Sequence, residues 1–426
     1  MYRCSSTRRV HQIIVMLLGI LLVWRCAGNA QTPVRFSEIF DNLTWRPAEF
    51  AELLSGATLV KNVHEAVDGL PSRLPDASLR AIERKPGDLL RIGSKQVPVA
   101  DAAWWLHFEG GRPVVTAVGN IPELRASGLT PGMELVAIDG KPVDEVLKRD
   151  IYPVVSASTP QGRDFVAFYR ILEGEPDTTL SATFLDLQGN KRTFDLKRDL
   201  AKHQDAFQSR PLIEFRDLPG GIVYVALNSF GNAKLPARFD QYFGRILDSK
   251  GLIIDVRHNQ GGSFSNGYAV IARLIADPTT QTSAERTHVY KPAERARGKA
   301  EEWYEYPRDR IEPRGDKPYL GPVVVLTGPE TFSAAEDFLV PLKSMKRATL
   351  IGMPTAGSTG QPLTVPLYGT NIRICTKWDR FADGTEFVGV GVQPDILVEP
   401  TRGDIAAGRD SVLDRAVAFL LNGAKR

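Results

Sequence analysis

Only three cysteines occur in 426 residues, and two of them, Cys4 and Cys26, fall within the first thirty. Beyond that stretch Cys375 stands alone, which excludes an intrachain disulfide and a thiolate metal cluster. Histidines are equally few. His64, His107, His203, His258 and His288 show no metal-ligand spacing, so neither a metal nor another cofactor is expected. Charge of one sign is not in excess either: 53 basic against 50 acidic residues give a net charge of +3. Four arginines (3, 8, 9 and 25) and no acids lie in the first thirty residues, so the remainder carries −1 and offers no basic surplus for nucleic acid. Internal repeats and low-complexity tracts are absent, which removes solenoids and long linkers.

The one long apolar run, Ile13–Trp24, is too short to span a bilayer comfortably. Arg3, Arg8 and Arg9 precede it, and Gly28-Asn29-Ala30 supplies small residues after it. Residues 1–30 therefore read as a signal peptide cleaved near Ala30, which implies a periplasmic or secreted protein. Cys26 raises a lipoprotein alternative, although Trp24 and Arg25 are poor residues to precede a lipidated cysteine. Membrane attachment arises only through an uncleaved or lipidated N-terminus. The rest has the length for two or three domains, and its 43% hydrophobic and 24% charged content is that of a globular protein.

Periodicity divides the chain. Residues 31–111 read as a helical cap, with Val60, Val63, Val67 and Leu70 at three- and four-residue steps. Between 112 and 200 come a strand at Val114–Val118, a strand with an Asp139-Gly140 turn, a long helix near 161–174, and strands at Thr179–Leu185 and Lys191–Leu196. Residues 211–400 alternate strands (Gly221–Leu227, Gly251–Val256, Pro322–Leu326, Leu350–Gly352, Ile372–Thr376) with helices. That alternation predicts a mixed α/β domain with a largely parallel sheet. Thr279–Tyr319 interrupts it as a polar insertion, either a substrate wall or a solvated excursion. Residues 401–426 close the chain with an amphipathic helix beginning near Asp410-Ser411.

Two strand ends carry chemistry. Asp255-Val256-Arg257-His258-Asn259-Gln260-Gly261-Gly262 follows the apolar run Gly251–Ile254, and Gly328-Pro329-Glu330-Thr331-Phe332-Ser333-Ala334-Ala335-Glu336 follows Pro322–Leu326. The second turn presents a serine among small residues at the start of a helix. That geometry suits an exposed nucleophile, with backbone N–H groups of both turns facing one reacting oxygen. No G-x-S-x-G elbow surrounds Ser333 and no histidine follows it, which disfavours an esterase-type α/β hydrolase.

The stretch A-x-G-L-x-P-G-x-x-L-x-x-I-D-G, from Ala126 to Gly140, resembles a bacterial PDZ domain. The resemblance implies a groove that takes a peptide as an added strand, with Gly111, Arg112, Pro113 and Val114 in or beside the loop that receives a terminal carboxylate. A module that merely packs against its neighbour is the alternative. The succession of this module, D-x-R-x-N-x-G-G, G-P-x-T-x-S-A-A-E and Gly391-Val392-Gln393-Pro394-Asp395-Ile396 resembles the C-terminal processing (tail-specific) and tricorn-core serine proteases, whose fold is ClpP/crotonase-like. The likeness implies hydrolysis of polypeptide substrates, with their C-terminal ends as one mode of engagement. It assigns Ser333 as nucleophile, the Gly261-Gly262 turn and the Ala334 N–H as oxyanion donors, and Asp255, Arg257 and Asn259 as residues that shape the turn.

The general base is where the pattern breaks. Ser358 stands where tail-specific members carry lysine, and Lys377 on the next strand reads as a strand-face residue. Tricorn relatives take a histidine ahead of the PDZ domain, but Asp101-Ala102-Ala103-Trp104 places alanine there. His107 and His64 are the replacements within reach in sequence. His258 reads as packing, and Glu386 lies near the acidic position that orients the base. A non-catalytic member that binds peptides or an apolar ligand in the old cleft is the alternative function.

Overall fold

Strands whose residues alternate between two covered faces become apolar throughout, and that pattern builds the larger sheet. A computed structural model describes residues 106–109, 111–119, 125–174, 178–198, 210–300, 302–367 and 370–422, with 106–109, 154 and 365–373 described by backbone alone. The expected signal peptide, most of the helical cap, Asp101–Trp104 and His64 lie outside the described residues.

The larger sheet runs β17-β13-β12-β9-β8-β7. Its strands are β7 (Ile213–Leu218), β8 (Ile222–Leu227), β9 (Gly251–Asp255), β12 (Val323–Thr327), β13 (Thr349–Gly352) and β17 (Ile396–Leu397). The pairings among β8, β9, β12, β13 and β17 are parallel and only β7 runs antiparallel, on β8. Val223, Val225, Leu227, Leu252, Ile254, Val323, Val325 and Leu350 point to one face. There they meet α2 (Phe264–Ile271) and α3 (Ala334–Ser344) through Val270, Ile271, Phe338 and Leu339. Ile222, Tyr224, Ala226, Ile253, Val324, Leu326 and Ile351 point to the other, where Val412 and Ala416 of α4 (Ser411–Asn422) cover them. The expected mixed, largely parallel sheet is the one observed.

A smaller sheet precedes it, in the order β1-β2-β3-β5-β6 with β4 on β3. It comprises β1 (Leu106–Glu109), β2 (Arg112–Val115), β3 (Glu134–Ile138), β4 (Lys141–Pro142), β5 (Thr179–Leu185) and β6 (Lys191–Lys197), with antiparallel pairings throughout. Its core gathers Leu135, Phe168, Leu180, Ala182, Phe184 and Leu196. Helix α1 (Pro160–Arg170) begins sharply because Thr159 accepts the Gly162 N–H at 3.1 Å and proline occupies the first helical position. It ends four residues before the expected 174, in a turn that leads into Gly174.

The polar insertion is not a bare loop. It contributes β10 (Ala284–Val289) and β11 (Glu302–Glu305), which form a three-stranded sheet with β16 (Trp378–Arg380). The sequence hid these strands because they carry charge on half-buried positions: Arg286 bonds Glu386, Thr287 bonds the Thr376 carbonyl, and Arg380 bonds Glu305. Contacts divide the chain into two units. The described part of the smaller one comprises residues 289–302 and 363–374, with a short helix at Pro292–Ala296 and the hairpin β14 (Leu363–Leu367) and β15 (Thr370–Ile374). Everything else described belongs to the larger unit.

Candidate active site

Parallel neighbours β9 and β12 are in register at Leu326↔Asp255, so their carboxyl ends open on the same edge and the following turns must meet. They meet through backbone and side chain. The Phe332 N–H donates to the Asn259 carbonyl at 3.1 Å, and Thr331 Oγ1 donates to the Val256 carbonyl at 2.9 Å. Gly261 lies against the serine. A Cβ built on it would stand 2.7 Å from Ser333 Cβ, 2.8 Å from the Phe332 oxygen and 2.9 Å from the Ala334 nitrogen. At Gly262 a Cβ would stand 2.1 Å from the Gly231 nitrogen. Glycine is required at both positions by contact and by φ values of +91° and +132°.

Asn259, fully buried, sets the glycine turn. Its Nδ2 donates to the Leu227 carbonyl at 2.8 Å and its Oδ1 accepts the Gly261 N–H at 2.9 Å. The Gly261 N–H is therefore consumed, which corrects its expected place among the oxyanion donors. The Gly262 and Ala334 N–H groups have no hydrogen-bond partner among the described residues. Ser333 itself sits at φ +57°, ψ −128°, a backbone state that costs a non-glycine residue of order 1–3 kcal/mol and clusters at functional sites.

A buried carboxylate pins the serine turn to a third segment. Glu336, three residues into α3 from Ser333, is fully buried. Its Oε1 accepts Thr355 Oγ1 at 2.5 Å and the Gly357 N–H at 2.6 Å; its Oε2 accepts the Ser358 N–H at 2.8 Å and the Ser333 N–H at 3.3 Å. Burial pushes this carboxyl up to about 7 against those donors. The Ser358 carbonyl in turn accepts the Ser333 N–H at 3.2 Å.

The start of α1, the helix that packs on the small sheet, reaches the same turn. Thr159 Oγ1 donates to the Ala356 carbonyl at 2.7 Å, Gln161 Nε2 donates to the carbonyls of Thr355 (2.9 Å) and Val390 (3.0 Å), and Ser158 Oγ donates to Ser358 Oγ at 3.0 Å. Arg402 donates to the carbonyls of Gly132, Leu185 and Asp186 at the ends of β3 and β5 and pairs with Glu134 at 3.2 Å.

Asp255 and Arg257 form a buried polar knot. Arg257 bonds Asp255 through Nε and Nη2, Tyr224 donates to Asp255 Oδ2 at 2.8 Å, and Asp410 joins from the tail. Burial opposes the Asp255 charge, but Arg257 wins and holds the carboxyl at about 2.

The remaining predicted residues disperse. Lys377 is not a plain strand-face residue. Its side chain is 7% exposed, pairs with Glu285 and lies 3.0 Å from Asp379, and those acids hold it charged against burial. Glu386 is taken by Arg286 at 2.9 Å and by Trp378 Nε1 at 2.5 Å. His258 is not packing. It is 34% exposed with Nδ1 2.7 Å from Glu330 Oε2, and Gln260 donates to the other Glu330 oxygen at 2.9 Å. His107 lies on β1 opposite Val114. Arg112, Pro113 and Val114 are not a loop but part of β2, paired with β1 and, at Val114, with β3; only Gly111, at φ +78°, turns. The ladder of β2 is thus occupied on both sides. Glu336, Glu330, Thr159, Gln161 and Asp410 were missed. For Glu336 a signal existed, since Ser333-Ala334-Ala335-Glu336 has capping-box spacing. Among the described residues no acid–histidine–cysteine group could hold a metal, and no helix is long and apolar enough to cross a membrane.

Comparison with known proteins finds relatives among processing peptidases. The chain is 25% identical over 281 residues to the chloroplastic C-terminal processing peptidase of Tetradesmus obliquus, covering 62% of this chain and 56% of that protein. It is 33% identical over 101 residues to a carboxy-terminal-processing protease of Bartonella bacilliformis, 23% of each chain. The chain thus spans little more than half the length of the first relative and under a quarter of the second. Among solved structures, mature CPAF complexed with lactacystin matches with a TM-score of 0.62 at 18% identity, over 91% of this chain and 98% of that one, a likeness of fold. Residues 221–398, which carry both converging turns, match the model of peptidase family S41, and this part of the chain is a peptidase S41 domain.

Proposed function

We propose that the chain is a secreted serine endopeptidase in which Ser333 Oγ attacks the scissile carbonyl of a polypeptide. The tetrahedral oxyanion faces the Gly262 and Ala334 N–H groups, and Asp255, Arg257 and Asn259 fix the glycine turn. The observation that carries this reading is the contact of Gly261 with Ser333 and with the Ala334 nitrogen. Fixed donors matter because each contributes roughly 10²–10³ in rate when it needs no rearrangement at the moment of reaction. The family match to a peptidase supports the reaction class.

The proton acceptor is an imidazole in this proposal. Glu336 is saturated by four donors, Lys377 is locked between acids, and Glu386 is held by Arg286. His64 and His107 precede β2. His258 is oriented through Nδ1 by Glu330, as a base is oriented by its third partner in a triad. Ser358 Oγ, hydrogen-bonded to Ser158, stands where tail-specific members carry lysine and lacks the basicity of an amine. Residues 112–200 act as a PDZ-like module that presents the substrate by its C-terminal end, and residues 1–30 direct secretion to the periplasm or beyond. No cofactor takes part.

A fluorophosphonate probe tests the reading. The wild-type chain should label stoichiometrically at Ser333, and Ser333→Ala should neither label nor hydrolyse peptide while melting as the wild type does. Turnover retained in Ser333→Ala would end the proposal. An unlabelled wild type would favour a non-catalytic, peptide-binding member of the fold. Alanine variants at His64, His107 and His258 identify the base as the one that abolishes the acid limb of the pH–rate profile.

A further inference from the structure

We propose that Asp410 is a positioning residue for the glycine turn, acting through Arg257; the proposal rests on the reading of that turn as the oxyanion site. Arg257 stands two residues past the end of β9, and its side chain is 19% exposed. Two carboxylates share its guanidinium. Asp255 takes Nε at 3.1 Å and Nη2 at 2.6 Å, while Asp410 takes Nη1 at 2.8 Å and Nη2 at 2.7 Å. The Asp410 pair is bidentate, the geometry that adds direction to charge.

The two partners do different work. Asp255 stands two residues before Arg257 on the same segment, so their pairing only shapes the bend locally. Asp410 comes from 153 residues away and ties that bend to α4, which packs on the opposite face of the sheet. Asp410 is itself fixed, since its Oδ1 accepts the Leu413 N–H at 3.0 Å and its carbonyl accepts the Asp414 N–H at 2.9 Å in the first turn of α4. From Arg257 the constraint passes along two residues to Asn259, whose side chain holds Gly261, and Gly261 abuts Ser333. Without Asp410 half of the Arg257 fork loses its acceptor, and the turn that carries the Gly262 N–H is anchored from one side.

Two substitutions separate this role from helix capping. Asp410→Asn keeps a good N-cap but removes the charge, whereas Asp410→Glu keeps the charge but is a poor cap. In the full chain, amide hydrogen exchange over residues 257–262 should speed up about 10-fold or more in Asp410→Asn, with a melting temperature close to wild type. In Asp410→Glu the first turn of α4 should exchange faster while 257–262 stays near wild type. Peptide hydrolysis should follow the same split: kcat falls about 10-fold in Asp410→Asn with KM unchanged, as expected when only transition-state stabilisation is lost, and Asp410→Glu retains most of kcat. Wild-type exchange at 257–262 in Asp410→Asn would overturn the proposal, as would an equal loss in both variants. A wild-type chain without turnover would defeat the catalytic reading alone, because the exchange comparison still decides whether Asp410 positions the turn.

Discussion

Replacing Glu336 with glutamine separates two consequences of burying a carboxylate under four donors. The group has no exposure and titrates near 7 rather than near the ordinary 4.5, with burial as the main cause. A carboxyl raised in the folded state still holds its proton where the unfolded chain has already lost it. Its contribution to stability is therefore full below about pH 4.5 and is lost as pH rises through about 7. The displacement corresponds to about 3 kcal/mol at about 1.4 kcal/mol per tenfold change in proton affinity. Glutamine does not titrate, so the stability of wild type minus that of Glu336→Gln should fall by about 3 kcal/mol between about pH 4.5 and about pH 8. Urea unfolding of both chains across that range measures it. Activity moves the other way. An amide offers one acceptor oxygen and an NH2 group where the Thr355 hydroxyl and the N–H groups of Gly357, Ser358 and Ser333 all arrive as donors. At least one donor is left opposed, at a cost of about 1–3 kcal/mol, and the turn carrying the Ser358 carbonyl shifts from Ser333. Glu336→Gln should lose about 10-fold or more in kcat even at alkaline pH, where its stability matches or exceeds wild type. Parallel stability–pH curves for the two chains would refute the reasoning, because they would mean that burial does not strain this carboxyl.

Three other outcomes follow from the same geometry. Ser333→Gly should stabilise the fold by about 1 kcal/mol in denaturant unfolding while abolishing hydrolysis, since glycine adopts φ +57° without strain. Gly262→Ala should destabilise by about 3 kcal/mol, because the added methyl meets the Phe230–Gly231 backbone and not a flexible side chain; a normal melting temperature would sink that expectation. Gln161→Ala removes two bonds to backbone carbonyls and should cost about 1–3 kcal/mol in unfolding while slowing hydrolysis, whereas substituting the exposed turn residue Gln188 should change neither.

Local signals made the scaffold legible. The apolar runs at β8, β9 and β12 and the glycine turns behind them identify themselves by composition, because a strand covered on both faces has no polar alternation to confuse it. The meeting of the 261 and 333 turns also follows from sequence once the two strands are taken as parallel neighbours. What stayed hidden are charges whose partners lie far along the chain. Lys377 looks like any strand residue until Glu285 and Asp379 surround it, and Asp410 looks like a helix cap until Arg257 is brought to it from 153 residues away. Arg112–Val114 misled for a different reason: residues that form a loop in the motif they resemble are drawn here into a strand by pairing with β1.

The two halves of the site are held by the same device in different places. The glycine turn is held by directional side-chain bonds: Asn259 from within it, and Arg257 with Asp255 and Asp410 beside it. The serine turn sits at a strained φ and is held by Glu336, which draws the 355–358 segment against it. Thr159 and Gln161, at the start of α1, then grip the same segment, whose Ser358 carbonyl meets the Ser333 N–H. In the proposed reaction two N–H groups of these turns stay free while the others are held, and a non-directional apolar contact does not make that distinction. Directional bonds from buried carboxylates and amides satisfy both demands.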